Sequence, residues 1–217
     1  MQLYRPPTEL QGVVECAIVV RRAAGSLSRF PAMPRAMLTL APAVGGAAAV
    51  GFHALSTRAC THTHAQALHA LGLVLPPDTA ARLLGPSTGA LVDATLPWAE
   101  IAGPAETARL DDALGLADDD RSRLAALQAS LARVLARGSE RVQRARAEAL
   151  QRLCATVGRH GTQAAPELGL GPRQLERRCR ALLGLTPKQM QRLTRLHGVL
   201  SDALRRQRPP GADAALA

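Results

Sequence analysis

Gly171–Leu196 reads GPRQLERRCRALLGLTPKQMQRLTRL, and its punctuation predicts two helices joined by a glycine-centred turn. Pro172 suits a first helical position, where the missing N–H costs nothing and the fixed φ is already helical. A helix runs from it to about Leu183, where Gly184 offers the left-handed conformation that ends helices most cheaply. Thr186-Pro187-Lys188-Gln189 then opens a second helix, with Thr186 and Gln189 spaced as a capping box.

The first of these helices has two faces. At 100° per residue Leu175, Cys179 and Leu182 fall on one buried stripe, while Arg173, Glu176, Arg177 and Arg180 share the opposite side, with Arg178 near the border. A helix that buries leucine and presents arginines can enter a DNA major groove, where Arg forks match guanine O6/N7 and further arginines meet phosphates. The same residues also read as a solvated basic face on an ordinary helix.

Gly171-Pro172-Arg173-Gln174-Leu175-Glu176-Arg177-Arg178-Cys179, Gly184-x-Thr186-Pro187-Lys188 and Arg192-x-x-Arg195-Leu196 resemble the AraC/XylS family of bacterial transcription regulators. That family carries Ser-x-x-x-Leu-x-Arg-x-Phe, then Gly-x-(Ser/Thr)-Pro, then Arg-Leu. The resemblance covers roughly 60 residues of helix-turn-helix from about Ala145 onward. It implies that Arg173, Glu176 and Arg177 reach base edges of double-stranded DNA; Arg180, Lys188, Arg192 and Arg195 are candidate phosphate contacts. Tyr4-x-Pro6-x-x-x-Leu10, Phe30-Pro31-x-x-Pro34-Arg35 and Leu38-Thr39-Leu40 are similar to an uncharacterised N-terminal domain found ahead of such modules. Cys16-Ala17 stands where that domain often has an aromatic residue.

The family pattern breaks in several places. Gly171 replaces the usual Ser and weakens the cap. Pro166 falls in the short supporting helix expected over Gln163–Leu168, from which it removes a backbone donor. Cys179 replaces Phe, thinning the core beneath the arginines by about 2–3 kcal/mol. Family members carry a second helix-turn-helix, about fifty residues more in that resemblance; here RRQRPPGADAALA follows, a Pro/Gly/Ala tail that reads as disordered.

Charge follows the same division. Residues 1–138 hold 12 Arg against 11 Asp/Glu, a net of +1, whereas residues 139–217 hold 15 Lys/Arg against 6 Asp/Glu, a net of +9. That is the distribution of a chain whose second part neutralises phosphates. Lys188 is the sole lysine, so part of the arginine excess reflects G+C-rich coding. Cys16, Cys60, Cys154 and Cys179 form no Cys-x-x-Cys and read as free thiols in a reducing cytoplasm. Ala36–Phe52, the most apolar stretch, is broken by Pro42 and Gly45-Gly46, and no membrane association is expected.

Ahead of the basic region, Gly12–Val20, Ala36–Leu40, Ala47–His53 and Ala67–Leu75 read as strands. Asp78 is placed to cap a short helix to Leu84, and Trp98 to plug a small core. Asp118-Asp119-Asp120 opens a helix with Leu124, Leu127, Leu131, Val134 and Leu135 on one side, a connector or a dimerisation seam. Gly138-Ser139 separates it from a helix striped by Val142, Ala145, Ala149, Leu153 and Val157. The expected class is α+β: residues 1–117 a partly β sensing or dimerising domain, 118–138 a connecting helix, 139–204 the first-half helix-turn-helix, and 205–217 a tail.

Cys60-x-His62-x-His64, with His53 and His69 nearby, is the single cluster with ligand chemistry. Strand alternation sets the three on one face, but the spacing is not that of a structural zinc site, and a polar strand face is the simpler reading. With no nucleophile elbow or phosphate loop, no catalytic residue, metal or cofactor is expected. The leading expectation is a cytoplasmic transcription regulator, forming a homodimer or pairing with full-length relatives, with an unknown small-molecule effector. The alternative is a shortened paralogue that binds a ligand or a partner without reading DNA.

Overall fold

Alternation sets the sheet. In the computed structural model, which describes residues 2–42, 48–137 and 140–206, eight strands form: β1 (Gln2–Tyr4), β2 (Cys16–Arg22), β3 (Leu27–Phe30), β4 (Ala36–Pro42), β5 (Ala48–His53), β6 (Cys60–Thr63), β7 (Leu68–Leu75) and β8 (Thr95–Pro97). Six make one antiparallel sheet in the order β1-β2-β7-β4-β5-β8. Ala17, Val19, Leu38, Leu40, Phe52, Leu71, Leu73 and Leu75 line its inner face and enter the main core, while Ile18, Val20 and Val74 form a smaller cluster on the other. β3 and β6 continue the β2–β7 ladder in unchanged register beyond a break at residues 23–26, with Phe30 opposite Cys60 as Cys16 is opposite Val74.

Two strand boundaries differ from the expectation. β2 begins at Cys16 rather than Gly12, because residues 8–14 turn through a short 3₁₀ helix and a bridge between Gln11 and Val14. β4 extends through Pro42, which pairs with Ala48 as the strand's last residue; the expected Gly45-Gly46 turn lies outside the described residues.

Helices α1 (Pro77–Leu84), α2 (Trp98–Ala102), α3 (Pro104–Gly115) and α4 (Asp120–Leu135) follow the sheet, with a 3₁₀ segment at Gly85–Leu91. Asp78 does not cap α1: Pro76 holds that position, and Asp78 is buried one residue past Pro77, where loss of solvent pushes its carboxyl pKa up. Asp119 caps α4, accepting from the Ser122 N–H at 2.7 Å.

Leu124, Leu127 and Leu131 do form a stripe, but it packs on β7 and α3 within the first part of the chain. Trp98 is buried there, stacked on Phe52 and donating from Nε1 to Ser130 Oγ at 3.0 Å. Beside it Glu106, only 2% exposed, accepts three bonds from Arg133, two of them from a shared Nε–H, and one from Arg109. The Arg133 guanidinium above all holds the Glu106 pKa below its usual range.

The basic region comprises α5 (Glu140–His160), α6 (Pro172–Leu183) and α7 (Pro187–Arg206). The stripe on α5 is displaced from the one expected: Leu150, Leu153, Cys154 and Val157 are buried and Ala149 is exposed, while the side chains of Val142 and Ala145 lie outside the described residues. The supporting helix over Gln163–Leu168 is replaced by a 3₁₀ turn at Gly161–Ala164 and further turns to Gly169. Pro166 is exposed among those turns, and no α-helix forms around it, in keeping with the donor it removes. The tail beyond Arg206 and the Gly138-Ser139 break lie outside the described residues. The fold is α+β, and its apolar core runs without interruption from the sheet into α5, α6 and α7.

Candidate nucleic-acid interface

α6 starts and stops where proline and glycine place it. Gly171 is the N-cap, at φ −74° and ψ 156°, and its N–H donates to Gln174 Oε1 at 3.0 Å. That is half a capping box; the other half needs the hydroxyl that glycine lacks. Gly184 closes the helix in the left-handed conformation at φ 68°. α7 opens with both halves present: the Thr186 N–H donates to Gln189 Oε1 at 2.9 Å, and the Gln189 N–H donates to Thr186 Oγ1 at 3.2 Å.

The buried face of α6 is Leu175, Cys179 and Leu183, each fully enclosed, with Leu182 only half-buried. The helix is thus rotated slightly from the expected Leu175–Cys179–Leu182 stripe. Burial pushes the Cys179 thiol up to about 11, so it is a neutral apolar filler at ordinary pH. Leu185, Met190 and Leu193 extend the same core into α7.

Opposite that core Arg173, Glu176, Arg177, Arg178 and Arg180 are all exposed. Arg173, Glu176, Arg177 and Arg180, together with Ala181, line one shallow concavity. Arg180 Nη2 donates to Glu176 Oε1 at 3.0 Å across one helical turn. An exposed pair of this kind is worth little in stability, so both groups can exchange partners at small cost. The expected base readers and one expected phosphate contact are therefore brought together. Lys188, Arg192 and Arg195 are exposed on α7 at helical spacing, as a separate stripe that does not line the concavity.

Sequence reading missed what holds α6 from behind. Its most extensive contact is with the 3₁₀ segment Gly85–Leu91 from the first part of the chain, not with α7. Gly89 lies against the C-terminal end of α6, where an added Cβ would stand 2.7 Å from the Arg180 carbonyl oxygen. A Cβ on Gly184 would meet the Gly89 carbonyl oxygen at 2.8 Å and the Gly89 Cα at 2.9 Å, and would overlap the Val92 side chain. Two glycines thus allow backbone to touch backbone. α1 packs on α5 beside this contact, and His197 Nε2 of α7 lies 3.8 Å from Glu15 Oε1, whose carboxylate also pairs with Arg35. Gly-Ala-Leu at 89–91 offered a weak signal for this, being small residues in a turn, without naming the partner.

The histidine cluster disperses. Cys60 and His62 lie on the exposed β6, where His62 meets Phe30 edge-on at 5.6 Å between ring centroids. His64 Nε2 contacts Ser28 Oγ at 2.8 Å, and His53 bridges Thr39 and Thr95 at 2.9 Å to each. Among the described residues no three His, Cys, Asp or Glu side chains are grouped to hold a metal, and no helix is long and apolar enough to cross a membrane. No family model, curated protein or solved structure matches the chain.

Proposed function

We propose that this protein is a DNA-binding transcriptional regulator of the AraC type, engaging duplex DNA through the single helix-turn-helix region of residues 139–204, with α6 as its reading helix. The observation that carries this reading is the division of α6. Arg173, Glu176, Arg177 and Arg180 are exposed together, over a fully buried Leu175–Cys179–Leu183 stripe that owes them nothing. Side chains not required for packing are available for base edges and phosphates. The net charge of +9 on residues 139–217 supports it, as does the exposure of Lys188, Arg192 and Arg195. In this reading Arg173, Glu176 and Arg177 address bases, and Arg180, Lys188, Arg192 and Arg195 address phosphates. The protein acts in the cytoplasm, and the sheet layer supplies the sensing or pairing surface.

Binding through one helix-turn-helix makes few base contacts, so it is mainly electrostatic. Titration of a fluorescent duplex at increasing salt tests this: log affinity falls linearly with log salt, at about 0.9 per phosphate neutralised. Absence of salt-dependent duplex binding at low ionic strength refutes the reading and leaves an interaction protein that does not bind DNA.

A further inference from the structure

Between the inner face of the sheet and the facing ends of α3 and α4 lies an open cleft of about 590 Å³. That is the size of small-molecule sites, which run from about 300 to about 1,000 Å³. Leu40, Val50 and Leu114 give it an apolar strip, beside a polar share of the lining that is slightly larger. Three ionisable side chains also line it: His69, Asp111 and Arg123.

Their partners differ. His69 Nε2 stands 2.9 Å from Asp120 Oδ1 without hydrogen-bond geometry, and the same carboxylate is held by Arg21. Asp120 is therefore already neutralised. Arg123 projects from α4, half-buried, and among the described residues its guanidinium makes no hydrogen bond or ion pair. Asp111 is exposed on α3 and makes none either. A half-buried guanidinium beside an apolar strip presents a planar fork of donors that suits a carboxylate.

We propose that this cleft binds a small organic carboxylate with a compact apolar body. The body lies on Leu40, Val50 and Leu114, and the carboxylate is received by Arg123. The site is built without any residue of α5, α6 or α7, so it stands or falls independently of DNA binding.

The test is isothermal titration of the full chain, in the absence of DNA, with isovalerate, benzoate, leucine and methyl isovalerate as probes. At least one acid binds saturably with a Kd below about 10 mM, an affinity of about −3 kcal/mol or better, and the ester does not. Arg123→Gln weakens the best acid at least about ten-fold, whereas Arg121→Gln, the same charge loss on an exposed neighbour outside the cleft, leaves it unchanged. Leu114→Phe, which crowds the apolar strip and keeps every charge, also weakens binding and guards against misfolding of a charge variant. The proposal is overturned if no acid binds, if the ester binds as well as the acid, or if Arg123→Gln binds like the parent.

Discussion

Replacing Gly184 by alanine should be far more costly than a helix-ending glycine normally implies. The conformational part is familiar: a residue held at φ 68° costs about 1–2 kcal/mol once it carries a Cβ. The second part is specific to this fold. The new methyl would stand 2.8 and 2.9 Å from the carbonyl oxygen and Cα of Gly89 and would overlap Val92. Two of these obstacles are backbone atoms, which cannot rotate aside, and overpacking of this kind costs about 1–3 kcal/mol. The total of about 2–5 kcal/mol is a large share of the roughly 5–15 kcal/mol that holds a domain. Two controls separate the parts. Gly169 has φ 64° with open space around its missing Cβ, so Gly169→Ala reports the conformational cost alone. Gly89 has no positive φ but meets the Arg180 carbonyl oxygen at 2.7 Å, so Gly89→Ala reports the clash alone. Urea denaturation with linear extrapolation reads all three. The Gly89/Gly184 double variant should be sub-additive by more than about 0.5 kcal/mol, because one methyl opens the gap the other needs. If Gly184→Ala costs no more than Gly169→Ala, α6 is not seated on residues 85–92 as described.

Leu175→Ala should lose about 2–5 kcal/mol of stability in the same denaturation assay, whereas Arg177→Ala should stay within about 0.5 kcal/mol of the parent yet weaken duplex binding; the reverse pattern would invert the faces of α6. Glu106→Gln should cost about 1–3 kcal/mol, at the scale of charge-assisted hydrogen bonds, because Arg133 is partly exposed and can rehydrate. Since the Arg133 bonds depress the Glu106 pKa, its stabilisation is complete above the ordinary glutamate range and is lost as pH falls through the depressed value. The parent's acid limb should therefore be steeper than that of Glu106→Gln, and equal slopes would contradict the assignment. Gly171→Ser should raise stability by about 0.5–1 kcal/mol, since the extended backbone there accepts serine and its hydroxyl completes the half-made capping box; thermal melting showing no gain would mean the Gln174 bond already suffices.

Local chemistry was readable wherever it acts through neighbours in sequence. Pro172, Gly184 and the Thr186/Gln189 box placed both helix junctions, and strand alternation placed β4, β5 and β7 to within a few residues. The exposed arginine face followed from helical geometry, though Leu183 rather than Leu182 completes its buried counterpart. What could not be read was where each apolar stripe would be used. Leu124, Leu127 and Leu131 look alike whether they face a partner chain or β7, and only the packed sheet distinguishes the two. Asp78 illustrates the same limit: its position suggests a cap, but Pro76 and Pro77 shift the helix start and leave the carboxyl buried. The cleft residues Leu40, Val50, Leu114 and Arg123 come from four separate elements, so no window of sequence contains their grouping.

The apparent weaknesses of the basic region also read differently in the folded chain. Pro166 sits where turns replace the expected supporting helix, and those turns still make the Leu168-to-Ala164 and Leu170-to-Ala165 backbone bonds. Cys179 is smaller than the residue its family pattern would place there, but it is fully enclosed. α6 does not depend on that stripe alone, because its C-terminal end rests on Gly89 and Val92 and its neighbour α5 rests on α1. Stability that a free-standing helix-turn-helix would draw from its own core is here drawn partly from the sheet side. A helix is stiff over twelve residues, so Arg173, Glu176 and Arg177 are oriented by the same glycine contact that fixes Gly184. Any displacement of residues 85–92 would have to move the arginine face as a unit or open the backbone contact between Gly89 and α6.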